Sequence, residues 1–236
     1  QYFLRGFNLD HGTDFLATLE GMPINLPSHG HGQGYLDLNF IIPEVVETVA
    51  YRKGPYTTEI GDFSSAGSAT FNIYDRLEKN IAELSLGEDG YAILKYSRDH
   101  GFLRSELIAT SYHSKWNSTD QIPQRAVSAG LIDRMGYIDD DLGGETTRLS
   151  LAAKVEGEKL KAQLYSQYYD FNLFSNFTYF ADDPLNGDEF EQVDNRSIWG
   201  GDISYQDSLT LAEKDIVWTI GSTFRYDRIS EVGLHK

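Results

Sequence analysis

The chain has 236 residues and carries 20 Lys+Arg against 36 Asp+Glu, a formal charge of −16. That acidic balance excludes the basic face that nucleic acid requires, and equally a basic amphipathic helix lying on anionic lipid. There is no cysteine, hence no disulfide, thiolate metal site or cysteine nucleophile; no apolar run reaches the roughly 18–20 residues of a spanning helix, while a membrane β-barrel stays open.

Gln1-Tyr2-Phe3-Leu4-Arg5-Gly6-Phe7 reads as a strand from the first residue, with no initiator Met or signal-type apolar core. Glu231–Lys236 stops without a closing element, so both ends are expected to be cut from a longer protein. Residues 1–76 hold short apolar strands between glycine turns at Arg5-Gly6, Glu20-Gly21-Met22-Pro23, Gly30–Gly34 and Lys53-Gly54-Pro55. Pro43 in a first-turn position predicts a short helix over Ile42–Glu47, and alternation through Val45, Glu47 and Val49 predicts a strand running into Tyr51-Arg52. The region is a small α+β unit, and none of its glycine clusters has phosphate-loop spacing.

From about residue 77 the hydropathy has period two. Leu149, Leu151, Ala153 and Val155 alternate with Arg148, Ser150, Ala152 and Lys154; Leu160, Ala162 and Leu164 oppose Lys161, Gln163 and Gln167. Over 214–227, Ile216, Trp218, Ile220, Phe224 and Tyr226 fall on one side, against Val217, Thr219, Gly221, Thr223, Arg225 and Asp227. Such stretches fit antiparallel strands with one wet face. Two features favour a membrane barrel over a soluble sandwich: strand lengths near the ~9–11 residues of a tilted crossing, and aromatics (Tyr168, Phe224, Tyr226) closing the apolar stripes like an interfacial girdle. A loop expected over residues 114–146, and a second over 170–195 with seven acidic residues and no Lys or Arg, suit external loops of such a barrel.

The first 76 residues resemble the second half of the plug of a TonB-dependent outer-membrane receptor. The matching pieces are Leu4-Arg5-Gly6-Phe7, Leu19-Glu20-Gly21-Met22-Pro23-Ile24-Asn25, Arg52-Lys53-Gly54-Pro55-Tyr56, Glu59-Ile60-Gly61-Asp62-Phe63 and Gly67-Ser68-Ala69-Thr70-Phe71-Asn72-Ile73, in the family's order. Glu20 stands where the family usually has Asp, and Lys53 where Arg is commoner. Trp116–Ala126, Gly143–Arg148 and Ser175–Phe180 are similar to the early barrel of one subgroup, while the stretch from Leu77 to Leu107 looks one hairpin short, between Tyr91 and Phe102.

The resemblance implies a mostly β fold: residues 1–76 as the C-terminal part of a plug, and residues 77–236 as the first strands and external loops of a transmembrane antiparallel barrel. A segment of this length supplies only about six to eight spanning strands, too few to enclose a plug, so the whole is expected to be a 22-stranded barrel of which this is a portion. It further implies an outer-membrane receptor for a scarce ligand such as a ferric siderophore, with TonB as energising partner through a segment outside this chain, lipid and lipopolysaccharide around it, no catalysis and no resident cofactor. The alternative from the residues alone is a soluble β-rich carbohydrate-binding or adhesin-type module.

The candidate ligand loop is Ser28-His29-Gly30-His31-Gly32-Gln33-Gly34-Tyr35. His29 and His31 on a glycine-rich loop could meet a metal chelate; Asn25, Gln33 and Tyr35 are the expected neighbouring contacts, and His11 lies upstream. Asp139-Asp140-Asp141 and Asp182-Asp183 lack the EF-hand register and read as solvated loop acids. No Gly-x-Ser-x-Gly elbow or other nucleophile arrangement is present.

Overall fold

The computed structural model describes residues 3–4, 6–9, 12–74 and 89–236. Residues 1–2, Arg5, His11 and the expected start of the second region near 77 lie outside them; of the stretch that looked one hairpin short, residues 77–88 lie outside, while Tyr91 to Phe102 is strand and turn. The hairpin of β1 (Phe3–Leu4) and β2 (Phe7–Asn8) turns at Gly6, which has φ of 85°. Next, β3 (Phe15–Leu19), β4 (Met22–Pro23), β5 (Val46–Lys53) and β6 (Gly67–Ile73) form a mixed sheet in the order β4-β3-β6-β5, with β3 parallel to β6. The β3–β4 turn is Glu20-Gly21, with φ of 52° and 85°: two left-handed residues, as a two-residue hairpin loop requires. The helix expected at Ile42–Glu47 shrinks to one 3-10 turn, Pro43–Val45. β-branched Val46 already has extended dihedrals and opens β5.

The second region is a six-stranded antiparallel meander: β7 (Asp89–Asp99), β8 (Leu103–Asn117), β9 (Gly143–Gly157), β10 (Leu160–Ser175), β11 (Phe190–Leu211) and β12 (Lys214–His235), each paired with its sequence neighbours. The short helix α1 (Gln124–Ser128) lies in the β8–β9 loop. Among the described residues the sheet is open, with β7 and β12 as edges. Its connections alternate: two or three residues at 100–102, 158–159 and 212–213, but long loops at 118–142 and 176–189. The long loops are shorter than expected because the strands run on past their apolar stretches. There outward polar side chains pair across strands, His113 Nδ1 with Thr147 Oγ1 at 3.0 Å and Asn195 Nδ2 donating to Asp170 Oδ1 at 2.8 Å.

Polarity across this sheet is inverted relative to a soluble one. Arg148, Ser150, Gln163, Gln167 and Arg196 are buried, whereas their strand neighbours Leu149, Leu151, Leu164 and Trp199 are exposed. Ile220 is 66% exposed and Trp218 39%. The buried face is covered by the small unit: Leu19, Met22, Ile24, Leu26 and Phe40 pack with Ile108, Tyr112, Ala152, Tyr165 and Tyr169 in one cluster. Around that core the contact is polar. Arg148 Nη2 donates to Ile24 O at 3.2 Å and to Gln167 Oε1 at 3.2 Å, with its guanidinium 4.4 Å from the Phe40 ring centroid. The Glu20 carboxylate accepts from Lys95 Nζ at 2.9 Å, Lys154 Nζ at 2.8 Å and the Ile73 amide at 2.7 Å. Burial pushes this carboxyl up, but the hydrogen bond and charge of Lys154, then Lys95 and the Ile73 amide, outweigh it and hold the group below the usual range.

Candidate functional site

The loop from Ser28 to Tyr35 is tied off at its base. Leu26 and Tyr35 form an antiparallel bridge, with the Leu26 amide donating to Tyr35 O at 2.9 Å. Asn25 sits beneath it, fully buried. Its Oδ1 accepts from the Ala17 amide at 2.9 Å, and its Nδ2 donates to Gly12 O at 3.1 Å and Phe15 O at 3.0 Å. The Asn25 amide is thus committed to the main chain, and it shapes the loop from below. Gly34 has φ of 71°, which favours glycine, and a Cβ on Gly12 would meet Gly34 O at 2.5 Å, so the close approach requires glycine at 12.

His29 points inward between Tyr35, stacked at 4.0 Å between ring centroids, and Phe171 at 5.0 Å. Its Nδ1 accepts from the His31 amide at 3.0 Å, which leaves the proton on Nε2 to donate to Tyr169 Oη at 3.2 Å. Burial, then the charges of Arg196 and His31, push its pKa down to about 3, so the imidazole is neutral. His31 is exposed, with Nδ1 3.2 Å from Gln192 Oε1 and its ring edge-on to Tyr35. Tyr35 is half-buried, and burial raises its hydroxyl well above the ordinary value. Gln33 is exposed at the loop's turn. A Cβ on Gly30 would meet Gly233 O at 2.8 Å and Val193 O at 3.1 Å, so the loop rides directly on β11 and β12.

His29, His31 and Tyr35 therefore form one cluster at the long-loop end of the sheet, with Asn25 as its support and Gln33 at its rim. The sheet residues that complete it are Tyr169, Phe171, Gln192, Asp194 and Arg196. Arg196 Nε donates to Asp194 Oδ1 at 2.6 Å and its Nη2 to Ser28 O, at the foot of the loop. The signal for Tyr169 and Phe171 is present in the alternation: they continue the parity of Gln163 and Gln167 by two and four residues. What the cluster offers is recognition chemistry: flat aromatic faces, an imidazole edge and a primary amide.

Above it the two long loops are joined. The Asn176 amide donates to Asp120 Oδ2 at 2.6 Å, Asn176 Nδ2 donates to Asp139 Oδ2 at 2.9 Å, and Tyr179 Oη donates to Gln121 O at 2.8 Å. Asp188 accepts the Asp182 and Asp183 amides, and these bonds hold its carboxyl down at about 2. Asp139, Asp140 and Asp141 bring carboxylate oxygens within 4.8 Å of one another, but Asp139 is engaged by Asn176 and the others are open to solvent. No protein-family model matches the chain, and the search of curated proteins finds no relative.

Proposed function

We propose that the chain is the second half of a plug together with the first wall strands of a TonB-dependent outer-membrane receptor, one that takes up a scarce ligand such as a ferric siderophore. The observation that carries this reading is the inverted sheet. Leu149, Leu151, Leu164, Trp199 and Trp218 face outward while Arg148, Arg196, Gln163 and Gln167 are buried against the small unit, as expected of a wall with lipid outside and a polar plug inside. The alternation of short turns with long loops supports it. So does the open meander, which a wider barrel would continue at both edges. A soluble sandwich would bury Trp218 and Ile220, and here both are exposed.

On this reading His31, Gln33 and the open part of Tyr35 sit beneath the external loops, where an incoming ligand would touch the plug, while Asn25 and the buried His29 hold their loop in shape. Ligand contact would bias the plug, and work delivered through TonB would open a path past it, because the outer membrane offers no useful ion gradient. The wall is tested by reconstituting the protein into vesicles with brominated lipid. Trp199 and Trp218 should be quenched, whereas a water-soluble protein with unquenched emission overturns the reading. The ligand is tested in cells: deleting the gene should abolish growth on one ferric siderophore as sole iron source, and unchanged growth and binding across a siderophore panel would remove that ligand class.

A further inference from the structure

The sheet grips the small unit by its main chain chiefly along one stretch; outside it, Lys95 Nζ donates to Ile73 O at the end of β6 at 3.1 Å. From Glu20 to Ser28, five carbonyl oxygens accept hydrogen bonds from sheet side chains: Glu20 O from Gln163 at 2.9 Å, Pro23 O from Gln167 at 3.3 Å, Ile24 O from Arg148 at 3.2 Å, Asn25 O from Arg225 at 2.8 Å, and Ser28 O from Arg196. These five donors come from four strands: Arg148 of β9, Gln163 and Gln167 of β10, Arg196 of β11 and Arg225 of β12. At its start the stretch is fixed again through the Glu20 carboxylate, bound by Lys95 of β7 and Lys154 of β9. The opposite side of the small unit is different. Strand β5 is an edge, exposed along nearly its whole length, and is held by its ladder to β6.

We infer that residues 20–28 form a strap that belongs mechanically to the six-stranded sheet, and that β5 with the 54–66 loop forms a separate outer layer. Charged donors on buried carbonyls are among the stronger hydrogen bonds, and elements held by few buried contacts open first. Because the grip takes carbonyls, it depends on the sheet's side chains and hardly on the strap's. The consequence is positional: Arg196 fixes Ser28 O immediately before His29, so the His29–Tyr35 loop stays in register with β10 and β11 while the outer layer rearranges. That use rests on the receptor reading; the division itself does not.

Hydrogen exchange on the full chain in detergent micelles tests the division. In the double variant Arg148→Met, Arg225→Met, the amides of Ile24 and Leu26 should lose protection by about tenfold or more, the equivalent of one charged hydrogen bond, while β5 amides exchange as before. The converse variant, Thr48→Pro, should release β5 amides and leave Ile24 and Leu26 unchanged. Should the double variant fold poorly, Arg225→Met alone on the edge strand gives the same contrast at smaller amplitude. Parallel loss of protection in strap and β5 in either variant, or an unaltered strap in the double variant, overturns the inference. A soluble, lipid-independent protein that still shows the contrast would sink the receptor reading and leave the strap standing.

Discussion

At the residue scale the decisive groups are those buried with charge. Glu20 occupies a left-handed turn position, and its carboxylate holds two lysines and a backbone amide from three strands. Glu20→Ala removes the closest carboxylate of Lys95 and Lys154, leaving them Glu106 at 3.9 and 3.8 Å, and should cost about 2 kcal/mol, read as a fall in the urea midpoint at unchanged slope. The folded carboxyl titrates below the unfolded one. Its contribution is therefore complete above the ordinary carboxylate range and is lost as the pH falls through the lower folded value; Glu20→Gln should flatten that acid limb. His29 works in the same direction by a different route. Its folded pKa of about 3 lies below the unfolded value, so on acidification the unfolded chain takes the proton first. Stability attributable to His29 is whole above about pH 6.5 and declines toward about pH 3. An NMR titration should find its ring resonances flat between about pH 5 and pH 8, and a midpoint inside that window would contradict the buried, neutral tautomer.

At the element scale the question is which face of each strand meets what. Leu164 and Ile220 point outward, 63% and 66% exposed. In a bilayer, Leu164→Lys or Ile220→Lys should cost about 2–4 kcal/mol, whereas on a solvated face either would be nearly neutral. Folding into vesicles monitored by gel mobility and circular dichroism separates the two outcomes. The strand positions were legible because period two is written plainly in Leu149 to Val155 and Ile216 to Asp227. The faces were legible only in part: alternation divides a strand into two sides but does not say which is covered. The helix at Pro43 is shorter than expected because Pro at a first turn marks a start and says nothing of length. Asn25 is expected as a neighbouring contact of the His29–Tyr35 loop; its actual partners, Ala17, Gly12 and Phe15, are tertiary and leave no local trace. Arg196 leaves no local trace for the same reason, since its partner Ser28 is 168 residues away.

At the scale of the whole molecule, geometry links the inverted sheet to its connections. Leu160, the first residue of β10, pairs with Tyr205, while β11 continues beyond it to Leu211 with Leu209 and Leu211 still exposed. The apolar stretch thus slides along the hydrogen-bond register from β10 to β11, as it must if tilted strands are to keep one level band in a membrane. On the receptor reading, such a band would divide the molecule into two ends that never share a compartment. The long-loop end holds Leu131 and Asn186, and the short-turn end holds Lys159 and Glu213. These 236 residues hold no cysteine, so labelling is read as the gain of each single substitution over the unsubstituted protein. In the full-length protein in intact cells, Leu131→Cys and Asn186→Cys should react with a membrane-impermeant maleimide. Lys159→Cys and Glu213→Cys should react only once the outer membrane is opened. Labelling of all four positions in intact cells would mean that no bilayer separates the two ends, and the exposed leucines and tryptophans of the sheet would then need a protein partner to cover them.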